Sequence, residues 1–400
     1  MLIYLLIIVA ATIVIGQLAL AWQARRSTGE DHGDTTSNYQ PMLSVILPVK
    51  GPAADLGEMI DRLMDQEYSR YEVIVSCLAD EDDIIRLIAQ KQVEWDSADR
   101  HLRCVISPQA QRCGQKMLQQ VTAAEQAAHD STVLVFADAD ARWHRQVLSR
   151  LVAPLQDPTV GCTTGYRWYE PVAGSIASAA RAAWNAPTLM FMAGRHCAHA
   201  WGGCMAIPRH IFERDIKDHW LRSLSDDQTI RSLLAAQGLR IVFQSGCLLP
   251  NHSTMTWRQW WEFSTRQTHI IKLYTPALYR SCIIRFGLIA WVLALGIIAW
   301  IGSGSFVALV AGLSPLVALQ LSVVMMIAPV RRMLADEPQA ARVCSIAMLA
   351  VIPLVALGFG LTVLALWRRD SLSWSGITYR LQSPFDIEVD TTVATPMELH

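Results

Sequence analysis

Four long apolar runs decide most of what this chain can become. Residues 2–22 carry no charge and are almost wholly apolar, and three further runs lie at about 283–301, 306–330 and 343–367. Each is long enough to cross a hydrocarbon core of about 30 Å at ~1.5 Å of rise per residue. A secretory signal peptide competes for the first run, because Ala19-Leu20-Ala21 imitates a cleavage site. No basic residue precedes that run, however, and it is too long, so a retained anchor is the better reading. Arg25 and Arg26 follow directly and bias the next segment toward the cytoplasm. Counting crossings then leaves the carboxyl terminus outside, whereas Arg368, Arg369 and Arg380 argue against an outside tail, and the sequence does not resolve the conflict.

Composition agrees with a membrane protein: 52% of residues are hydrophobic and only 17% charged. Lys plus Arg number 34 against 35 for Asp plus Glu, so no net field favours nucleic acid as a partner. The nine cysteines contain no C-x-x-C pair and sit in apolar sequence, which is reduced, buried-thiol usage. His196, Cys197, His199 and Cys204 form the one metal-like cluster, but their spacing matches no zinc pattern. The expected organisation is an anchor at 1–24, a linker at 25–40, an α/β domain at 41–256, an interfacial helix at 257–280, three transmembrane helices within 281–367 and a tail at 368–400.

Within 41–256 the pattern alternates between strand and helix, which implies a mostly parallel sheet with right-handed crossovers. Strands are expected at Leu43 to Val49, Tyr71 to Ser76, Leu102 to Ile106, Val133 to Ala137 and Val160 to Tyr166. The fourth of these runs into Asp138-Ala139-Asp140. Carboxylates at i and i+2 project to one side of an extended chain, so Asp138 and Asp140 suit one hard cation carrying a phosphorylated ligand. An acidic turn after a strand is the plainer alternative. Asp80-Glu81-Asp82-Asp83 follows the second strand; these acids either start a helix or accept bonds from a nucleotide. Lys116 could meet a phosphate or simply be solvated. Asp226-Asp227 opens a helix that ends at Gly238, and Trp201-Gly202-Gly203 allows either a close backbone approach to a ligand or a bulge. Trp257 to His269, rich in Trp and Arg and including Trp260, Trp261, Arg266 and His269, fits a helix lying at a membrane surface.

Taken together, these pieces resemble the family 2 glycosyltransferases, most closely the ceramide glucosyltransferase branch with its bacterial hopanoid-associated relatives. The resemblance covers roughly residues 41–280 and the membrane layout. It is carried by Ser44-Val45-Ile46-Leu47-Pro48-Val49, Tyr71-Glu72-Val73, Asp138-Ala139-Asp140, Asp226-Asp227 and Trp374-Ser375-Gly376-Ile377-Thr378-Tyr379-Arg380. It implies a GT-A fold in a membrane-bound enzyme of glycolipid (sphingolipid-type) metabolism, using a UDP-sugar donor, a lipid acceptor and Mg2+ or Mn2+. On that resemblance Asp80 contacts the nucleotide, Lys116 and Asp138 the donor, Asp138 and Asp140 the metal, and Asp227 is the catalytic base. Asp226, Trp260, Trp261, Arg266 and His269 would clamp donor and acceptor. One departure stands out. The family usually carries (Gln/Arg)-x-x-Arg-Trp on the interfacial helix, and here the matching residues are Arg266-Gln267-Thr268-His269-Ile270. Two other readings stay open: a nucleotidyltransferase on the same fold, and a non-catalytic UDP-sugar-binding scaffold.

Overall fold

The computed structural model describes residues 2–28, 39–51, 55–95, 101–192, 199–335, 344–366 and 369–390. Most of the expected linker, together with His196 and Cys197, lies outside the described residues. The strands β1 (Leu43–Pro48), β2 (Tyr71–Leu78), β3 (His101–Ser107), β4 (Val133–Ala137), β5 (Val160–Tyr169), β6 (Cys204–Pro208) and β7 (Arg240–Asn251) form one sheet in the order β3-β2-β1-β4-β6-β5-β7. The pairs β3-β2, β2-β1 and β1-β4 are parallel, whereas β6 runs antiparallel to both β4 and β5.

The apolar runs explain this arrangement. β1, β2 and β4 are buried along nearly their whole length, so each needs cover on both faces, and the helices between them supply it. Ile46, Ile74, Leu134, Phe136 and Met205 from the sheet pack with Met117 and Val121 from the helix Gln115–Glu125. Phe136 meets Trp220 edge-on at 5.0 Å between ring centroids and Phe212 at 5.6 Å. The carboxyl ends of β1, β2 and β4 consequently share one edge of the core, where open α/β sheets bind ligands.

The tail also folds. β8 (Ser371–Trp374), β9 (Ile377–Ser383) and β10 (Asp386–Val389) make a small antiparallel sheet. The chain divides into two compact units that interleave along the sequence: residues 1–30, 168–195 and 252–368, and residues 31–167, 196–251 and 369–400. The seven-stranded sheet and the tail therefore belong together in the second unit.

In the first unit, four helices among the described residues are long and apolar enough to cross a membrane: Leu2–Ser27, Pro276–Ser303, Phe306–Met333 and Ile346–Ala365. Small residues let them touch. A Cβ on Gly296 would lie 2.6 Å from the Cα of Gly312, so this contact is backbone on backbone, as in packed membrane helices. Gln17 donates to Ser322 Oγ at 2.9 Å, pairing two buried polar groups between apolar helices. The helices Ile176–Met192 and Trp257–Tyr274 complete the unit.

Candidate active site

The centre of the site is a lysine. Lys116, Gln119 and Gln120 stand at i, i+3 and i+4 on the helix Gln115–Glu125 and so share one face, a polar stripe directed at the ends of the strands. Lys116 Nζ lies 2.6 Å from Asp138 Oδ1 and 2.8 Å from Asp226 Oδ2. Gln120 Nε2 donates to the same Asp226 oxygen at 3.1 Å. Gln119 Nε2 donates to the carbonyls of Val49 and Ser76, at 2.6 and 3.1 Å, locking the ends of β1 and β2 to the helix. Burial opposes a charge on Lys116, but Asp138 and Asp226 outweigh it and raise its pKa above the usual lysine value. The two carboxylates therefore favour the charged ammonium.

Two adjacent aspartates then take different parts. Asp226, buried, accepts from Gln120, pairs with Lys116 and accepts from the Asp227 backbone N–H at 3.0 Å. Asp227 is half-buried, and Ser225 Oγ donates to its Oδ1 at 2.6 Å. Burial and the charge of Asp226 push the Asp227 carboxyl up to about 6, against Ser225, Lys116 and Arg167. A carboxylate poised near neutrality at a partly open position is what a general base requires.

β4 ends at Ala137 and residues 139 and 140 form a turn, so Asp138 and Asp140 are not carried on extended chain as their spacing suggested. A five-residue buried run cannot continue once the chain turns acidic and meets solvent. Asp138 N–H donates to Gly203 O at 3.2 Å, and Asp138 faces Lys116. Asp140 is exposed, and Asn251 Nδ2 donates to its carbonyl at 3.0 Å and its Oδ2 at 3.2 Å. Burial raises the pKa of Asp138; Lys116 works against this, and Asp140 and Asp226 add to it. The glycines of Trp201-Gly202-Gly203 now have a reason. A Cβ on Gly202 would fall 2.0 Å from Asp226 Oδ2, and one on Gly203 would fall 2.6 Å from Asp138 Oδ2. They make room for the carboxylates.

Among the described residues, no group of three or more His, Cys, Asp or Glu side chains is arranged to hold a metal ion. Asp138 and Asp140 nevertheless fit a divalent cation of the kind that takes one or two carboxylates and completes its shell with phosphate oxygens and water. Burial first, and then the charges of Asp140 and Asp226, disfavour an ionised Asp138, and such an ion would offset both.

Asp80 is exposed in the turn after β2. Its neighbour Glu81 holds the backbone in place, with Oε1 accepting from Gly51 N–H and Oε2 from Leu78 N–H, and so ties the β1 and β2 exits together. Gly51 has φ +71°, a left-handed turn suited to glycine. Lys50 stands beside them, its pKa lowered by burial, with Glu81 and Asp80 opposing. Sequence reasoning missed Lys50, Gln119, Gln120, Ser225 and Asn251. The one signal available in advance was the polar i, i+3, i+4 stripe at Lys116.

Trp260, Trp261, Arg266 and His269 belong to the first unit, on the helix Trp257–Tyr274. Thr256 and Gln259 form a capping box at its start. Trp260 is buried, edge-on to Trp184 at 6.3 Å and Trp257 at 5.7 Å, and its ring fills the space beside Gly358. Trp261 is exposed, His269 is buried, and Arg266 Cζ stands 6.0 Å from the Phe263 ring centroid.

A family model described as glycosyl transferase family 21 matches residues 2–385. The chain belongs to that family. It is the ceramide glucosyltransferase-like family to which the motifs pointed, and it makes the protein a glycosyltransferase with a GT-A-like α/β domain and four candidate membrane helices. No curated protein sequence matches the chain. Among solved structures, it is similar to a mannosyltransferase from Pyrobaculum calidifontis in complex with GDP-Man and Mn2+, at 18% identity and TM-score 0.49, covering 90% of this chain and 99% of that one. It is also similar to a glucosyl-3-phosphoglycerate synthase from Mycobacterium tuberculosis, at 13% identity and TM-score 0.32, covering 58% of this chain and 75% of that one.

Lys116 offers a direct test of the cluster in this family 21 glycosyltransferase. Lys116→Met removes the partner of the buried Asp226 and leaves its charge uncompensated, a change that costs about 3–5 kcal/mol in comparable buried pairs. Thermal unfolding of the purified protein should shift down markedly, and an unchanged midpoint would show that the pair is not formed.

Proposed function

We propose that the enzyme transfers a sugar, glucose or N-acetylglucosamine, from a UDP-sugar to the hydroxyl of a lipid such as ceramide or a hopanoid-type lipid, with inversion, at the cytoplasmic face of the membrane. The observation that carries this reading is the contrast between Asp226, fully engaged with Lys116 and Gln120, and Asp227, half-buried with a carboxyl near 6. Asp227 takes the proton of the acceptor hydroxyl as its oxygen attacks the anomeric carbon. The bond from that carbon to the diphosphate breaks, and UDP leaves with the electron pair. A single displacement inverts the configuration.

On this reading Lys116, held between Asp138 and Asp226, lends positive charge to the leaving diphosphate, and Asp80, exposed after β2, accepts from the nucleotide. Mg2+ or Mn2+, held by Asp138 and Asp140, would supply further neutralisation of that charge. The candidate membrane helices support a lipid acceptor, and Arg25 and Arg26 after the first of them support the cytoplasmic side.

On this reading Arg266 and His269 replace the Arg-Trp pair usual at this helix. Arg266→Ala is then expected to lower kcat/KM by about 10²-fold, as loss of a charge-assisted contact does, with His269→Ala also impaired. Normal turnover by both, with Trp260→Ala inactive, would transfer that part of the clamp to the aromatics. Incubating membranes with radiolabelled UDP-glucose and UDP-N-acetylglucosamine and resolving the lipid extract tests the whole reading. Free UDP is expected. Pyrophosphate would point to nucleotidyl transfer, and donor binding without turnover would point to a scaffold.

A further inference from the structure

The carboxyl-terminal sheet is built into the catalytic unit. Tyr379 is 2% exposed, and its hydroxyl oxygen accepts from Gln115 N–H at 3.2 Å, at the first residue of the Lys116 helix. Val389 N–H donates to Gln111 O at 2.9 Å, Phe385 meets His219 edge-on at 5.1 Å, and Trp374 packs against the core around Trp220. Lys50 Nζ donates to Ser375 O at 2.7 Å, across a turn in which Ser375 has φ +48° and Gly376 φ +76°. Residues 369–390 therefore lie on the same side of any membrane as β1 to β7.

That fact constrains the helices between them. A chain that leaves the catalytic unit and returns to it crosses an even number of times, yet among the described residues three helices long and apolar enough to cross stand between Asn251 and Asp370. Pro276–Ser303 and Phe306–Met333 are joined by Gly304-Ser305 alone, with Gly304 at φ +68°, and pack side by side. This pair returns the chain to the face it left. Trp257–Tyr274 carries Arg258, Glu262, Arg266 and Lys272 and is no span. The odd member is Ile346–Ala365.

Its contacts agree. Lys272, four residues before the hairpin begins at Pro276, donates through Nζ to Leu366 O at 2.8 Å and so caps the carboxyl end of Ile346–Ala365 at the catalytic face. Near its other end, Leu349 O accepts from Gln320 Nε2 at 3.1 Å, and Gln320 is at the middle of Phe306–Met333. Thr268 and Thr362 hydroxyls are 3.2 Å apart, and Gly358 receives Trp260, so this helix lies along Trp257–Tyr274. We propose that Ile346–Ala365 is re-entrant, rising from mid-bilayer to the catalytic face and returning the carboxyl-terminal sheet to complete the donor site. The role of that sheet at the donor site rests on the function proposed above; the topology does not.

Single cysteines read the topology directly in sealed vesicles of both orientations, with a membrane-impermeant maleimide and the parent protein as the blank. Gln382→Cys and Glu388→Cys report the tail, Asp130→Cys the catalytic unit and Ser303→Cys the far end of the hairpin; all four positions are exposed. Labelling of the tail positions from the Asp130 side is expected, and labelling of either from the Ser303 side overturns the proposal. The positioning role is read in Tyr379→Phe, which loses the hydroxyl that meets Gln115 N–H. KM for the UDP-sugar should rise about fivefold with kcat nearly kept, the effect of one hydrogen bond; an unchanged KM removes the sheet from the donor site and leaves the topology standing.

Discussion

Asp227→Asn should lower turnover by at least about 10²-fold while leaving donor binding nearly unchanged. Asparagine keeps the size of the side chain and can still meet Ser225, but it cannot take a proton. Ser225 Oγ donates to Asp227 Oδ1 in the parent protein, so the position is held by a bond that does not depend on catalysis. The pH profile supplies a second readout. On the proposed mechanism the base works in its ionised form, and the Asp227 carboxyl is pushed up to about 6 by burial and by Asp226. Activity should therefore be full above that value and fall about tenfold per unit as the pH drops below it. Asp226→Asn removes the neighbouring charge and should move this acid limb to lower pH. Lys116 pulls the Asp227 carboxyl down, so its loss should move the limb the other way. If Asp227→Asn turns over normally and Asp226→Asn does not, the base is Asp226.

Much of the catalytic unit was legible because burial leaves a plain mark on sequence. β1, β2 and β4 are unbroken apolar runs, and every strand expected from such a run is present within a few residues. The antiparallel β6 and the long β7 were harder. β7 mixes Arg240, Gln244, Ser245 and Gly246 with its apolar residues, because parts of it are only half covered. The tail sheet gave a family motif at 374–380 but no strand signal: β8 to β10 are short, with single buried residues such as Leu372, Tyr379 and Ile387 between polar ones. Its strands are fixed by docking, which sequence pattern does not encode.

The site was legible in its residue types and not in its pairings. Asp138, Asp226 and Asp227 stood out as acids at element ends, but a lone lysine in a helix looks like any solvated one, and only the fold brings Lys116 between two carboxylates. Glycines 202 and 203 were recognisable as a close approach, though the group approached is the protein's own acid pair. The helix Trp257–Tyr274 shows the opposite case. Its aromatics and charges were evident, yet which tryptophan is buried depends on Gly358, nearly a hundred residues away.

EDTA should abolish sugar transfer by the parent enzyme, with activity restored by added Mg2+ or Mn2+. The expectation follows from charge. Asp138 and Asp226 pair with one lysine, Asp227 feels its charge and Asp140 acts on Asp138, and a UDP-sugar brings further negative charge on the proposed reading. Lys116 cannot neutralise all of it, since both of its close contacts are already carboxylates. Asp140→Ala removes the exposed acid that Asn251 orients, and leaves Lys116 and its two partners in place. Folding should thus be kept while the affinity for the donor in the presence of Mn2+ falls, which calorimetry of UDP binding with and without the ion would measure. Asp138→Ala should be worse, because it strips Lys116 of one partner as well. The contrast between the two variants separates a loss of metal from a loss of the lysine's support. Full transfer in EDTA, with Asp140→Ala unimpaired, would leave Lys116 as the cation that serves the departing diphosphate.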